Sequence, residues 1–230
     1  MGLPAMPACN TRDSYQPTTR IMPFQLDQAR IEAALRSVAR TDADVAEALE
    51  IHGVPDERRS GPPGFGHLLK VIAGQQLSVK AAATIHGRLL DRIGDPPSPE
   101  ALLEQDDASL RSIGLSRQKI GYARGLADAI RDGRFDPESL DERSDAEVIE
   151  ALTALKGFGV WSAQMVLLFS LGRPDVWPID DLGVRAGLQR LKGLSYRPDR
   201  TEADRIGTRW APHRSAMALL MWHLHGQPPD

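Results

Sequence analysis

The sequence predicts an all-α protein of about ten to twelve short helices, and three observations support this. Apolar residues recur at three- and four-residue spacing along most of the chain, the spacing that lines one face of a helix. No segment shows the sustained apolar–polar alternation of a half-buried strand. Capping residues and glycine or proline stops punctuate the periodic stretches at helix-length intervals.

In chain order, the period predicts helices over 27–40 and 42–51, the second opened by Thr41-Asp42-Ala43-Asp44 and closed by Gly53 and Pro55. Helices over 64–77 and 79–93 follow, with Gly94 and Pro96-Pro97 as the stop. Ser98-Pro99-Glu100 places proline in a first turn and starts 98–105. The segments 106–112 and 117–132 end at Gly114 and Gly133. Ser144-Asp145-Ala146-Glu147 fills the capping-box template for 145–155, and 160–171 stops at Gly172 ahead of Pro174. Helices over 181–191, 201–210 and 213–224 complete the series, with no fixed repeat that would indicate a solenoid. Residues 113–194 read as one helical lobe, and 21–112 with 195–230 as a second, so an interlobe cleft is the default site. Residues 1–20, rich in Pro, Thr and small side chains, read as a poorly ordered tail.

Composition narrows the function. The lone cysteine, Cys9, excludes an intrachain disulfide, a Cys-rich zinc site and a four-cysteine iron–sulfur cluster, and it fits a reducing cytosol. No run of about 18 apolar residues exists, so no membrane span is expected. Net charge is −3, yet Lys156–Arg214 carries ten basic against six acidic residues. Such a local excess suits either a solvated helical surface or a nucleic-acid contact.

That basic segment opens with Leu155-Lys156-Gly157-Phe158-Gly159-Val160-Trp161. Two glycines between helical stretches permit a tight turn and expose backbone N–H groups at the start of the next helix, an end that binds anions such as phosphate. A plain αα-hairpin with glycine as C-cap explains the same residues. About 20 residues on, Asp175-Val176-Trp177-Pro178-Ile179-Asp180-Asp181 breaks the chain at proline before paired carboxylates and a new helix, where Asp180 suits an N-cap.

LKGFGVWSAQMVLLFSLG followed by DVWPIDDLGVRAGLQRL resembles the helix-hairpin-helix/Gly-Pro-Asp signature of a DNA glycosylase superfamily. With VIAGQQLSVKAAATIHGRL (71–89) and WAPHRSAMALLMWHLHG (210–226), the chain resembles the DNA-3-methyladenine glycosylase II family over roughly residues 60–226. The resemblance implies two all-α lobes with the active site between them. Upstream of residue 60 the chain is too short for the N-terminal β-domain that some members carry. It further implies a monomer acting on double-stranded DNA with alkylated bases, in the cytoplasm at a bacterial nucleoid.

By the same resemblance Asp181 is the catalytic carboxylate and Asp180 its structural neighbour. Trp161 and Trp222 become walls of a pocket for a flipped base, and the electron-rich indole face suits a cationic base. Met165 stands where some relatives carry tyrosine. Core packing would also explain Trp161, which shares a helical face with Met165, Leu168 and Phe169. Lys156, Gly157, Phe158 and Gly159 would meet the DNA backbone. Gln75, Gln76 and Leu77, with Gln76 foremost, would fill the gap left by the base, although a polar surface turn reads the same way. The carbonyls of Thr153 and Leu155 would hold a Na+ or K+ ion, with no other cofactor implied. Bifunctional relatives carry a lysine at the Trp161 position, so simple hydrolysis without strand cleavage is expected. The alternative is a non-catalytic helix-hairpin-helix DNA-binding module, which would gain nothing from an acid beside phosphates. His223 and His225 are too few and too close for a metal site and read as helix-end residues.

Overall fold

The computed structural model describes residues 24–226; the expected tail and Cys9 lie outside the described residues. Twelve α-helices and two 3₁₀ turns form among them, without a strand. The first half holds α1 (Gln28–Ala39), α2 (Ala43–His52), α3 (Phe65–Gly74), α4 (Val79–Ile93), α5 (Pro99–Leu103) and α6 (Asp107–Ser112). Then come α7 (Arg117–Arg131), α8 (Asp145–Thr153) and α9 (Val160–Phe169). The chain finishes with α10 (Leu182–Leu191), α11 (Arg200–Gly207) and α12 (Arg214–His225).

Side-chain caps fix most helix starts. Asp27, Ser78, Ser98, Asp106, Ser116, Ser144, Asp181 and Asp199 each accept from the backbone N–H three residues on. Ser144 and Glu147 form the predicted reciprocal capping box. Asp42 precedes α2 but makes no cap bond, because its carboxylate accepts from Lys192 Nζ at 2.8 Å and from Trp210 Nε1 at 3.0 Å. Two boundaries differ from the expected ones. α3 ends at Gly74 rather than 77, because Gln75 leaves the helix and Gln76 adopts a left-handed φ of 56°. The 3₁₀ turn Pro137–Glu142 was not expected, since six residues hold too little periodicity to register.

One continuous apolar core runs through the molecule and includes Leu35, Leu68, Leu126, Val166, Leu188 and Leu220, all essentially inaccessible. Each such leucine contributes about 1.5–3 kcal/mol by burial. Around this core the helices fall into two groups. In one, α7 takes α3, α5 and α6 against its sides, and α4 lies on α3. In the other, α10 packs along α12, α1 joins α12 and α2, and α2 touches α10. This grouping redraws the partition read from the sequence. α3–α6 belong with α7 rather than with the C-terminal helices, and α10 belongs with α1, α2 and α12. Helical spacing marks which face of a helix is apolar but not which partner covers it. The α8–α9 hairpin adjoins both groups: the His67 ring on α3 meets the Ser170 hydroxyl at 3.0 Å, and Phe169 packs against Trp222 of α12.

The four tryptophans divide cleanly. Trp177 and Trp210 are buried in an edge-to-face pair with centroids 5.4 Å apart, their N–H groups donating to the Ala203 carbonyl and to Asp42. Trp161 and Trp222 send theirs elsewhere. No helix among the described residues is long and apolar enough to cross a membrane.

Candidate active site

The α8–α9 turn is built on Gly157, which sits at φ 98°. A Cβ there would lie 2.5 Å from the Tyr122 ring, so both conformation and space require glycine. Phe158 donates its N–H to the Leu155 carbonyl at 3.1 Å, and its side chain is buried in the core. The expectation that Phe158 meets DNA is corrected for its side chain, which anchors the turn and leaves only backbone outside. Gly159 caps α9 without a side-chain bond, and a Cβ there would meet open space. The first N–H groups of α9 therefore face outward beside the exposed Lys156.

A second segment is tied to this turn. Gln75 Nε2 donates to the Gly157 carbonyl at 2.6 Å, and Lys119 Nζ donates to the Ala73 carbonyl at 2.8 Å. Gln75 is thus a strut between the two turns, while Gln76 and Leu77 project, Leu77 with 39% exposure. Six large apolar side chains are exposed among the described residues, and four of them, Leu77, Val160, Trp161 and Leu182, lie in these turns or at the start of α10. A cluster of that kind marks a binding surface.

The centre of the surface is Asp181. It is the N-cap of α10, its Oδ1 accepting from the Val184 N–H at 2.9 Å. The expectation that Asp180 caps this helix is therefore corrected: Asp180 points away and pairs with Arg200 Nε at 3.0 Å. Trp222 Nε1 also donates to Asp181 Oδ1, and Trp161 Nε1 donates to Oδ2, both at 2.8 Å. The two indoles thus converge on one carboxylate from α12 and α9. Phe169 stands 5.6 Å from Trp222, centroid to centroid and tilted by 36°, adding a third ring to that wall. Met165 is half-buried on α9 and packs against the core.

Three supports of this geometry were not singled out from the sequence. A Cβ on Gly183 would fall 2.9 Å from Trp222 Cδ1 and 3.1 Å from Asp181 Oδ1. A Cβ on Gly187 would lie 2.0 Å from the Met221 carbonyl oxygen, so α10 and α12 are backbone to backbone there. Gly183 and Gly187 are one helical turn apart, a spacing visible in the sequence. The third support is Asp175, which holds Arg214 in a bidentate pair at 2.8 Å. Burial alone would raise the Asp175 carboxyl, but Arg214 outweighs it and brings the group below its ordinary value. With Ser215 Oγ accepting from the Val176 N–H at 2.8 Å, this pair pins the loop leading to Asp181 onto α12.

Thr153 is the last residue of α8 and Leu155 follows its C-cap, where the Leu155 carbonyl accepts from the Phe158 N–H at 3.1 Å. His223 Nε2 meets the His52 carbonyl at 2.9 Å and ties α12 to α2.

An all-α fold in which a glycine hairpin adjoins a carboxylate capped by two indoles defines a class, and residues 69–213 match the HhH-GPD superfamily base excision DNA repair protein. The chain belongs to that superfamily. It is 36% identical over 161 residues to DNA-3-methyladenine glycosylase 1 of Schizosaccharomyces pombe, covering 69% of this chain and 71% of that one. Among solved structures it resembles a DNA-3-methyladenine glycosidase from Bacillus halodurans at 34% identity and TM-score 0.72, covering 84% and 89% of the two chains. It also resembles the S. pombe 3-methyladenine DNA glycosylase in complex with abasic DNA, at 31% identity and TM-score 0.74, over 83% and 95%.

Proposed function

We propose that this protein is a monofunctional DNA glycosylase that excises alkylated bases, 3-methyladenine and 7-methylguanine among them, from double-stranded DNA. The observation carrying the proposal is the convergence of Trp161 and Trp222 on Asp181 at 2.8 Å each, beside the Gly157–Gly159 turn. The sequence similarity to 3-methyladenine glycosylases supports it.

In this reading the outward N–H groups of α9, with Lys156, hold a phosphate of the damaged strand without reading sequence. Gln76, aided by Leu77, enters the stack as the nucleotide is extruded, while Gln75 stays bound to the hairpin and only positions them. The extruded base rests against the faces of Trp161, Trp222 and Phe169, with Met165 beneath. A base alkylated on a ring nitrogen is cationic, which favours aromatic walls and makes it a good leaving group without a strong general acid.

As the N-glycosidic bond breaks, the base departs with the bonding pair and becomes neutral, and positive charge builds at C1′. The Asp181 carboxylate stabilises that charge and orients the water whose oxygen bonds to C1′; the water's proton passes to Asp181 or solvent. A lyase would need an amine to form a Schiff base. The side chains touching Asp181 are indoles, and two of the five lysines are engaged elsewhere, Lys119 on Ala73 and Lys192 on Asp42 and Asp44. A Na+ or K+ ion on the Thr153 and Leu155 carbonyls would offset charge at the bound phosphate. The enzyme acts as a monomer in this reading.

The test is product analysis on a methylated duplex. Free methylated base should appear, with strands breaking at the abasic sites only after alkali. Absence of base release overturns the proposal, and a borohydride-trapped covalent complex overturns its monofunctional part.

A further inference from the structure

The two oxygens of Asp181 are not equivalent. An ionised carboxylate offers about four lone-pair positions, all acceptors. Oδ1 takes two N–H groups, Val184 at 2.9 Å and Trp222 at 2.8 Å. Oδ2 takes one, from Trp161, a residue 43% exposed on the surface shared with Leu182. Among the described residues no other donor reaches either oxygen, so one acceptor position remains, and it is on Oδ2.

We infer that Oδ2 is the reacting oxygen of Asp181, the one presented to C1′ and the attacking water, and that the Trp161 N–H is the positioning donor that aims it. The inference rests on the glycosylase reading above and deepens it. Oδ1 is spent on attachment: two donors hold it, one of them backbone, so losing the Trp222 N–H leaves the Val184 bond in place. Oδ2 has a single tether. Removing that N–H leaves Oδ2 with no protein donor, so its lone pairs are no longer directed by a fixed partner and water competes for them. Trp161 therefore has two separable parts, a ring face that holds the base and an N–H edge that holds the oxygen. The face governs substrate binding and the edge governs the chemical step.

The parts are separated by replacing Trp161 with 3-benzothienylalanine, which keeps the bicyclic face and replaces N–H with sulfur. Release of 7-methylguanine from methylated duplex DNA is measured on the full chain, with melting curves confirming the fold. The expected result is a fall in kcat of roughly ten- to a hundredfold, the range of one hydrogen bond to a charged group, with KM changed by less than about twofold. The same replacement at Trp222 should lower kcat at least about threefold less, because Val184 still holds Oδ1. Trp161→Phe, which trims the face as well, should lower kcat and also raise KM. An unchanged kcat in the Trp161 analogue, or an equal or larger loss in the Trp222 analogue, overturns the assignment of Oδ2 while the active wild type leaves the glycosylase reading standing. A wild type that releases no base overturns that reading, and the assignment with it.

Discussion

Gly187→Ala tests whether backbone contact between α10 and α12 sets the site. The added methyl would start 2.0 Å from the Met221 carbonyl oxygen and 2.6 Å from its Cα, with no flexible side chain to yield. Restoring an ordinary contact of 3.4 Å requires about 1.4 Å of separation between the helices. Met217, Leu220, Met221 and Leu224 fill the core side of α12 and are all at most 2% exposed, so this movement disturbs packing across the interior. Overpacking of this kind costs about 3 kcal/mol, which for a chain of this size lowers Tm by roughly 6–12 °C. The residue after Met221 is Trp222, whose 2.8 Å bond to Asp181 would stretch past hydrogen-bond range. A misplacement near 1 Å at a reacting group costs on the order of a hundredfold in rate. Thermal melts and base-release rates measure both effects. The control is Gly125→Ala on the exposed side of α7, where an added Cβ meets nothing within 4 Å; helix propensity predicts a gain of about 0.5–1 kcal/mol. A Gly187→Ala protein that melts within about 2 °C of wild type and keeps its rate within about twofold would refute the reasoning.

Three further outcomes are expected. Gly157→Ala forces a side chain into φ 98° and against Tyr122, so duplex affinity should fall about tenfold in a binding titration, with about 1–3 kcal/mol lost from stability. Gln75→Ala removes the donor to the Gly157 carbonyl and should cost about 0.5–1.5 kcal/mol in denaturant unfolding while slowing base release, since the turn carrying Gln76 and Leu77 loses its tether. Burial first, and then Lys70, push the His67 and His86 rings below their ordinary value, so the fold favours both neutral. That stability is fully present above about pH 6.5 and is lost as pH falls through the lower folded values. Melting temperature should therefore drop between pH 7.5 and 5.5, and Lys70→Gln should make the drop shallower.

Much of this molecule was legible in its residues, because capped helices state their own limits. Ser144-Asp145-Ala146-Glu147 is read as a capping box and forms one, and α4, α6 and α7 lie within a residue of their expected bounds. Partnership was not legible. α10 joins α12 rather than α7–α9, and nothing in a 3.6-residue period says which helix covers an apolar face. Within the site, the pairing of Trp161 with Trp222 was expected on a pocket wall, but their shared acceptor came only from the fold, since the residues lie 61 positions apart. Asp180 was expected as the cap, being the first carboxylate after Pro178; the observed register places the cap at Asp181, through Val184. Phe158 was expected among the residues that meet DNA, and its side chain lies in the core, which the turn's composition did not reveal. Gln75 shows the same limit from the other side: a polar residue in a polar turn looks free until the Gly157 carbonyl appears 2.6 Å away.

The measurement that bears most directly on the central claim compares Asp181→Asn with Asp180→Asn under single turnover on methylated duplex DNA. Both aspartates are adjacent, yet Asp181 accepts from two indoles while Asp180 is paired with Arg200 in a solvent-facing position. Asp181→Asn should release base at least about a thousandfold more slowly, having lost the charge beside C1′, while Asp180→Asn should stay within about threefold of wild type. Comparable activity in Asp181→Asn and wild type, or a larger loss in Asp180→Asn, would contradict Asp181 as the catalytic centre.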